Sequence, residues 1–186
     1  MANPKHLSKF KQGVEIWNKW RDERPNIRPD LSGAHLSEME LRGAVLWGAN
    51  LERADFVAAN LEMANLGEAN LERAFLADAN LEWAILCRAN LKRTALWGAN
   101  LERADLMGAD LNSAFLGEAN LRRANFLGAS LKKADFRGAN LKRAENLSVQ
   151  QISRVKTLYR AQIDPSLMEI IVKDYPHLLI EPEEHP

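Results

Sequence analysis

The sequence predicts an all-β solenoid built from five-residue units. Every fifth residue from Leu31 to Leu141 is Leu or Phe, a run of 23 matches without a break, and the residue two positions earlier is nearly always Ala. On an α-helix this spacing would rotate successive leucines by about 140°, and on a straight strand it would place them on alternate faces. A short extended segment followed by a corner, repeated along the chain, keeps all of these side chains inside.

A decapeptide of the form Ala-Asn-Leu-Glu-Arg-Ala-x-Leu-x-Gly, seen in residues 99–108, makes the repeat specific. In these residues the chain resembles the pentapeptide-repeat proteins, whose consensus is Ala-(Asp/Asn)-Leu-x-x. The resemblance implies a right-handed quadrilateral β-helix with four repeats in each coil, and it suggests a bacterial source. Just under six coils are then expected, with a length of about 27 Å at the usual spacing between strands.

The repeat divides the chain into four predicted segments. Residues 1–28 are expected to form an N-terminal capping helix and lead-in, residues 29–145 the β-helix, residues 146–180 a C-terminal helical cap, and residues 181–186 a flexible acidic tail. Caps are expected at both ends because a bare coil exposes unpaired backbone groups and invites aggregation.

The N-terminal cap is predicted as one amphipathic helix that begins at Asn3-Pro4 and ends before Pro25. Its apolar residues recur at spacings of three and four, which places them on one face: Leu7, Phe10, Val14 and Trp17. The C-terminal cap is predicted as two helices. Ser148 and Gln151 form a capping-box pattern, Asp164-Pro165 separates the helices, and the first helix carries an apolar stripe of Val149, Ile152, Val155, Tyr159 and Ile163.

Composition limits the function classes. The formal net charge is zero and the pI is about 6.9, which favours neither nucleic acid nor a membrane as a partner. The single Cys87 fits a reducing compartment, and the polar start of the chain shows no secretory signal. No apolar run approaches the length of a membrane span. The sequence therefore predicts a cytoplasmic protein.

Charge varies along the predicted rod. Residues 50–82 carry seven acidic side chains against two arginines, and residues 121–143 carry seven basic side chains against one aspartate. We call the second group the basic end patch: Arg122, Arg123, Lys132, Lys133, Arg137, Lys142 and Arg143. Solvated corners are the default explanation of both groups, and contact between the basic end patch and nucleic acid is a weaker hypothesis because no aromatic residues are interleaved with it.

One side of the predicted coil is unusually apolar. Phe75, Ala95 and Phe115 fall twenty residues apart in one outward column, and Ala77 and Trp97 fall in the neighbouring column. Contiguous exposed apolar surface commonly marks a contact site. These five residues, which we call the aromatic face, are the candidate protein interface.

The residues that chemistry would need are absent or scattered. The four histidines give no metal-ligand spacing, and the carboxylates fall on exposed corners where little would shift their pKa values. No glycine-rich loop opens a helix to hold a phosphate. The sequence predicts no catalytic residues, no cofactor and no metal.

The leading hypothesis is a non-catalytic scaffold for protein–protein interaction, with an unidentified protein partner or a second copy of the chain in a homodimer. The alternative comes from the resemblance: some pentapeptide-repeat proteins, including plasmid-borne quinolone-resistance proteins, mimic DNA and bind DNA gyrase or topoisomerase IV. That mimicry needs a strongly acidic surface. Here one acidic column, Glu62, Glu82 and Glu102, is flanked by Arg42 and Arg122.

Overall fold

A computed structural model describes residues 1–182 of the chain. Parallel bridges join residues that lie 20 apart, from Asp30–Asn50 to Asn125–Glu145, so each coil stacks on the next in register. Each side of a coil contributes a single bridge, because the five-residue unit leaves only a short extended segment between corners. The flanking helices are α1 (Pro4–Phe10), α2 (Val14–Glu23), α3 (Val149–Ile152) and α4 (Pro165–Asp174), followed by a 3₁₀ helix (Pro176–Leu179).

The interior is filled by the periodic Leu, Phe and Ala side chains, which are buried throughout the coils. Thr94 is the one polar side chain at a small inward position. Its hydroxyl donates a hydrogen bond of 2.8 Å to the carbonyl of Leu71, so the substitution leaves no unpaired polar group in the core. The burial of the periodic Leu, Phe and Ala side chains confirms the prediction that they point inward.

The corners share one backbone conformation. The second residue after each periodic Leu or Phe has a left-handed φ, from 54° at Glu68 to 68° at Gly43, and a hydrogen bond such as that from the Ala34 amide to the Leu31 carbonyl closes the turn. Glycine occupies only some of these corners. Most of the others carry charged residues such as Arg73, and a few carry uncharged ones such as Ala58, in a strained conformation that the stacked coils on either side hold in place.

Asparagine side chains form ladders along two sides of the rod. The Asn oxygen accepts the amide two residues later, and in all of these residues except Asn140 the NH₂ group donates to the residue twenty positions earlier, as Asn80 does to Asn60 at 3.3 Å. The residue at the N-terminal end of each ladder has no earlier neighbour to which it could donate, so its side chain only accepts a hydrogen bond. The sequence has a carboxylate at both of these positions, Asp30 and Glu40. The ladders fix the spacing and register of successive coils.

The N-terminal segment contains two helices, so the prediction of one continuous helix is wrong. Gly13 adopts a φ of 106°, which breaks the chain between α1 and α2. The four-residue spacing from Phe10 to Val14 therefore spans a break. Phe10 and Trp17 nevertheless pack edge to face, with ring centroids 4.8 Å apart, and both are buried.

The predicted first C-terminal helix is also wrong beyond its start. The capping box at Ser148 is present, but α3 ends at Ile152. The chain then returns to the rod, where Thr157 pairs with Asp135 and Gln162 with Asn140 at a separation of 22 residues. Two extra residues shift the repeat out of phase, which hides it from a search at strict period five.

The last helices cover this additional turn of chain. Ile171 of α4 and Leu178 of the 3₁₀ helix are buried, and the Leu178 carbonyl accepts the amide of Leu158 at 2.7 Å. The predicted break at Asp164-Pro165 is confirmed by the start of α4. The predicted acidic tail lies mostly outside the described residues.

Candidate functional site

The aromatic face lies in the middle of one side of the rod. Phe75 pairs with Ala95, and Ala95 with Phe115, through parallel bridges, so the three side chains form a single outward column. Phe75 is 51% exposed, Phe115 49% and Trp97 42%. Because Ala95 is small, the two phenyl rings lie uncovered two coils apart, at roughly 10 Å.

The orientation of Trp97 is set by the next coil. Its indole lies over Gly117, where any Cβ would clash with Cζ3 and Cε3 of the six-membered ring. The same arrangement recurs at Trp47 and Gly67, where a Cβ would lie 3.1 Å from the indole Cδ1. Trp97 is therefore held against the backbone of its own rod, and its outer face is presented in a fixed position.

Charged groups border the aromatic face at its C-terminal end. Asp135 occupies the column after Phe115 and is only 2% exposed. Its carboxylate accepts from Arg137 Nε at 3.1 Å and lies 3.6 Å from Lys156 Nζ. At the N-terminal end the column begins with His35 and Asp55. The apolar part is thus confined to the three coils of Phe75, Ala95 and Phe115.

The basic end patch is not one surface. Arg122, Arg123, Lys142 and Arg143 follow Leu121 and Leu141, whereas Lys132 and Lys133 follow Leu131, ten residues from each. Ten residues are half a coil, so these groups lie on opposite sides of the rod. Arg137 lies on a third side and is bound to Asp135. The sequence clustered these residues only along the chain.

A second exposed aromatic site lies on another corner. Trp83 is 49% exposed and Met63 52%, and the guanidinium of Arg103 lies 4.7 Å from the centroid of the Trp83 ring. Trp83 and Arg103 border a shallow groove of about 440 Å³, which Arg123 and Glu145 also line. This corner does not stand out in the sequence, because its side of the coil is dominated by charged residues.

Within residues 1–182, no three His, Cys, Asp or Glu side chains are grouped so as to hold a metal ion. No helix in this range has the length and apolarity needed to cross a membrane. Burial lowers the pKa of the Arg21 guanidinium, which lies at the N-terminal end of the rod and away from the aromatic face. The aromatic face therefore presents solvent-exposed apolar rings on the stacked coils.

A family model for pentapeptide repeats matches the chain in eight copies, over residues 30–67, 64–103, 88–122 and 104–143. This range covers more than half of the sequence, and the chain belongs to the pentapeptide-repeat family. The resemblance seen in the sequence is thereby confirmed. A comparison with curated proteins gives no match.

Solved structures similar to this chain are pentapeptide-repeat proteins, which are known as right-handed quadrilateral β-helices. Rfr23 from the cyanobacterium Cyanothece 51142 is 24% identical, with a TM-score of 0.56 over 79% of this chain and 97% of its own. HetL from Nostoc sp. strain PCC 7120, involved in heterocyst differentiation regulation, is 32% identical, with a TM-score of 0.47 over 72% and 70%. QnrB1, a plasmid-mediated fluoroquinolone resistance protein, is 18% identical, with a TM-score of 0.42 over 83% and 88%.

Proposed function

We propose that this protein is a non-catalytic scaffold that binds a protein partner through its aromatic face. The observation that carries the proposal is the exposure of Phe75, Trp97 and Phe115, each by more than two-fifths, on a rigid surface. Aromatic residues that are held in place lose little conformational entropy on binding and are common anchors of interfaces. A cytoplasmic location fits the single Cys87.

In the same proposal the end segments act as caps on a rod of just under six coils. The side chains of α1 and α2 bond to the first coil, as Trp17 does to the Val45 carbonyl at 2.9 Å, and the segment around Leu158 continues the last coil. Neither end covers the exposed rings of the aromatic face, which leaves this surface for a partner.

A photo-crosslinking amino acid in place of Ala77, which lies beside Phe75 and is half-buried, tests the proposal in cells. We expect discrete crosslinked products that disappear when Phe75, Trp97 and Phe115 are replaced together by Ser, Gln and Ser. A matched triple variant at Met63, Ile85 and Leu127, exposed residues outside the aromatic face, should keep them. If the aromatic triple variant has a lower melting temperature but unchanged crosslinks, the rings are structural.

The gyrase alternative has less support from the charges. Arg42 lies 2.7 Å from Glu62 and neutralises one end of the acidic column, while Arg122 follows Glu102 at the other end. Since mimicry of DNA depends on a strong negative field, we expect no inhibition of gyrase supercoiling by the purified protein. Inhibition that is lost when Glu62, Glu82 and Glu102 are changed to Gln would favour the alternative.

A further inference from the structure

The aromatic face lies between two corners of opposite charge. The corner that precedes it carries four basic residues in one column, which we call the basic corner: Arg53, Arg73, Arg93 and Lys133. The corner that follows carries acidic residues at its left-handed position, which we call the acidic corner: Glu38, Asp78 and Glu118. The surface is thus apolar along its midline, positive on one flank and negative on the other.

Most of these charges have no ion-pair partner inside the chain. Over residues 1–182, no ion pair involves Arg73, Arg93, Asp78 or Glu118. The one nearby acid on the basic corner of the same coil, Glu72, accepts from Asn90 on the adjacent side at 3.4 Å. The two corners therefore offer charges to whatever covers the aromatic face.

We propose that a second copy of this chain covers the aromatic face, with the two rods parallel and related by a two-fold axis along their length. This inference rests on the proposed function and names the partner. Such an axis exchanges the two corners, so the basic corner of each copy meets the acidic corner of the other. An antiparallel pair would place the two basic corners together, which costs energy.

The levels of the charges fit this pairing. Asp78 belongs to the same coil as Arg73 and lies one coil, about 5 Å, from the levels of Arg53 and Arg93. Glu118 lies one coil from the levels of Arg93 and Lys133. Ala77 is small, so the long Arg73 side chain can pass over the partner's Ala77 to reach the partner's Asp78. Each acid of one copy then faces basic residues of the other.

The apolar midline suits the same axis. Phe75 and Phe115 lie on it, so each ring meets its counterpart in the partner, and Ala95 between them leaves room for the two Trp97 rings. The apolar part spans only three coils, which is small for a stable dimer. We expect a reversible dimer with a dissociation constant in the micromolar range, set by charge as well as by the aromatic rings.

Sedimentation equilibrium of the purified chain at low ionic strength tests this dimer. The wild-type protein should dimerise, and Arg73→Glu or Asp78→Arg should each weaken dimerisation at least tenfold, because each places like charges together. The double variant Arg73→Glu/Asp78→Arg should recover dimerisation, since the exchanged charges attract again across the axis. Circular dichroism and a melting temperature like those of the wild type should show that each single variant still folds.

Crosslinking tests the orientation in a Cys87→Ser background. Ala95→Cys lies on the axis and should give an intermolecular crosslink with a short bismaleimide, whereas Leu127→Cys, exposed on another side, should not. A mixture of Arg73→Cys and Asp78→Cys proteins should give mixed dimers with a short bismaleimide, and neither protein alone should.

Two outcomes would overturn the inference. A wild-type chain that stays monomeric up to several hundred micromolar excludes the second copy, and the aromatic face could still crosslink to another protein in cells, which would leave the proposed function intact. A dimer whose dissociation constant is unchanged by both charge substitutions and that gives no Ala95→Cys crosslink uses a different surface. If the aromatic triple variant also keeps all its cellular crosslinks, the proposed function fails as well.

Discussion

The two ends of the rod are closed in different ways. At the N-terminal end, side chains of the helices bond to the free edge of the first coil: His6 Nδ1 accepts the amide of Asp30 at 3.1 Å, and Asn18 bonds to the amide of Val45 and the carbonyl of Gly43. At the C-terminal end, the chain adds backbone of its own, with the Leu141 amide donating to Gln162 and the Gly138 amide to Tyr159, both at 2.8 Å.

The two closures differ in how much of the exposed backbone edge they pair. Among the described residues, no backbone group of His35 or Glu40 bonds to the N-terminal segment, so two sides of the first coil remain open to water. Both side chains are exposed and polar, which discourages pairing with another chain. The N-terminal closure thus depends on a few side chains and on one backbone bond, from the Asn3 amide to the Asp30 carbonyl at 3.0 Å, whereas the C-terminal closure repeats the interactions of the coils themselves.

The largest expected effect comes from removing α1 and α2. Deletion of residues 1–24 should expose the first coil on all four sides and remove the buried Phe10 and Trp17. We expect irreversible association, seen by light scattering, because four unpaired sides template pairing between chains. A truncated protein that stays monomeric, with an unchanged melting temperature, would show that the N-terminal helices do not protect this edge.

Leu158→Ala tests the C-terminal end. Leu158 is fully buried and stands where the periodic Leu of a further repeat would stand. The substitution should cost about 2–5 kcal/mol in the free energy of unfolding, as measured by urea denaturation. Leu127→Ala, at a side chain that is 51% exposed, is the matched control and should cost less than about 0.5 kcal/mol. Equal effects of the two substitutions would contradict the extension of the rod.

Arg21→Ala tests the N-terminal end by a smaller change. Arg21 is 4% exposed, and its guanidinium donates to the carbonyls of Ile27 and Trp47. Its removal should cost roughly 2–3 kcal/mol, because it leaves two partly buried carbonyls without a charged donor. Arg24→Ala removes a surface arginine paired with Glu23 and should cost at most about 1 kcal/mol. If Arg21→Ala is no worse than Arg24→Ala, the N-terminal closure does not depend on this side chain.

The middle of the rod was predictable from the sequence because every repeat meets the same surroundings. The ends were not, since each depends on one local event. The left-handed Gly13 breaks an otherwise continuous helical pattern, and two extra residues shift Ala161-Gln162-Ile163 out of the five-residue phase. The apolar periodicity on both sides of these events looks unbroken, so sequence spacing alone gave the wrong element.

The candidate site shows the same contrast. The outward positions of Phe75 and Phe115 follow from the period, and the structure finds both exposed. The residues of the basic end patch do not form one surface, because residues that are close in sequence lie on different sides of the rod. The contact of Trp97 with Gly117 was missed, although a signal existed: Trp47 and Trp97 are each followed by a glycine twenty residues later. Aligning the sequence at a spacing of twenty residues, which is one coil, places side by side the residues that touch in adjacent coils. Alignment at five residues does not.

The smallest expected effect concerns the N-terminal end of one Asn ladder. Burial acts to raise the pKa of Asp30, but hydrogen bonds from Ser32 and Asn50 and the nearby chain amino group outweigh it and lower the pKa below its usual value. The ionised carboxylate therefore stabilises the fold above the pKa of the unfolded chain, roughly 3.9, and this contribution is lost as the pH falls through the lower folded value.

Asp30→Asn should remove that contribution while its side-chain oxygen can still accept from Asn50. We expect a small loss of melting temperature at pH 7 and a shallower decline of melting temperature below about pH 4 than in the wild type. Glu15→Gln removes a carboxylate from the exposed side of α2 and keeps the overall charge change the same. If both variants show the same pH profile, the effect of Asp30 is one of net charge, and the acceptor at the ladder's end contributes nothing to the N-terminal closure.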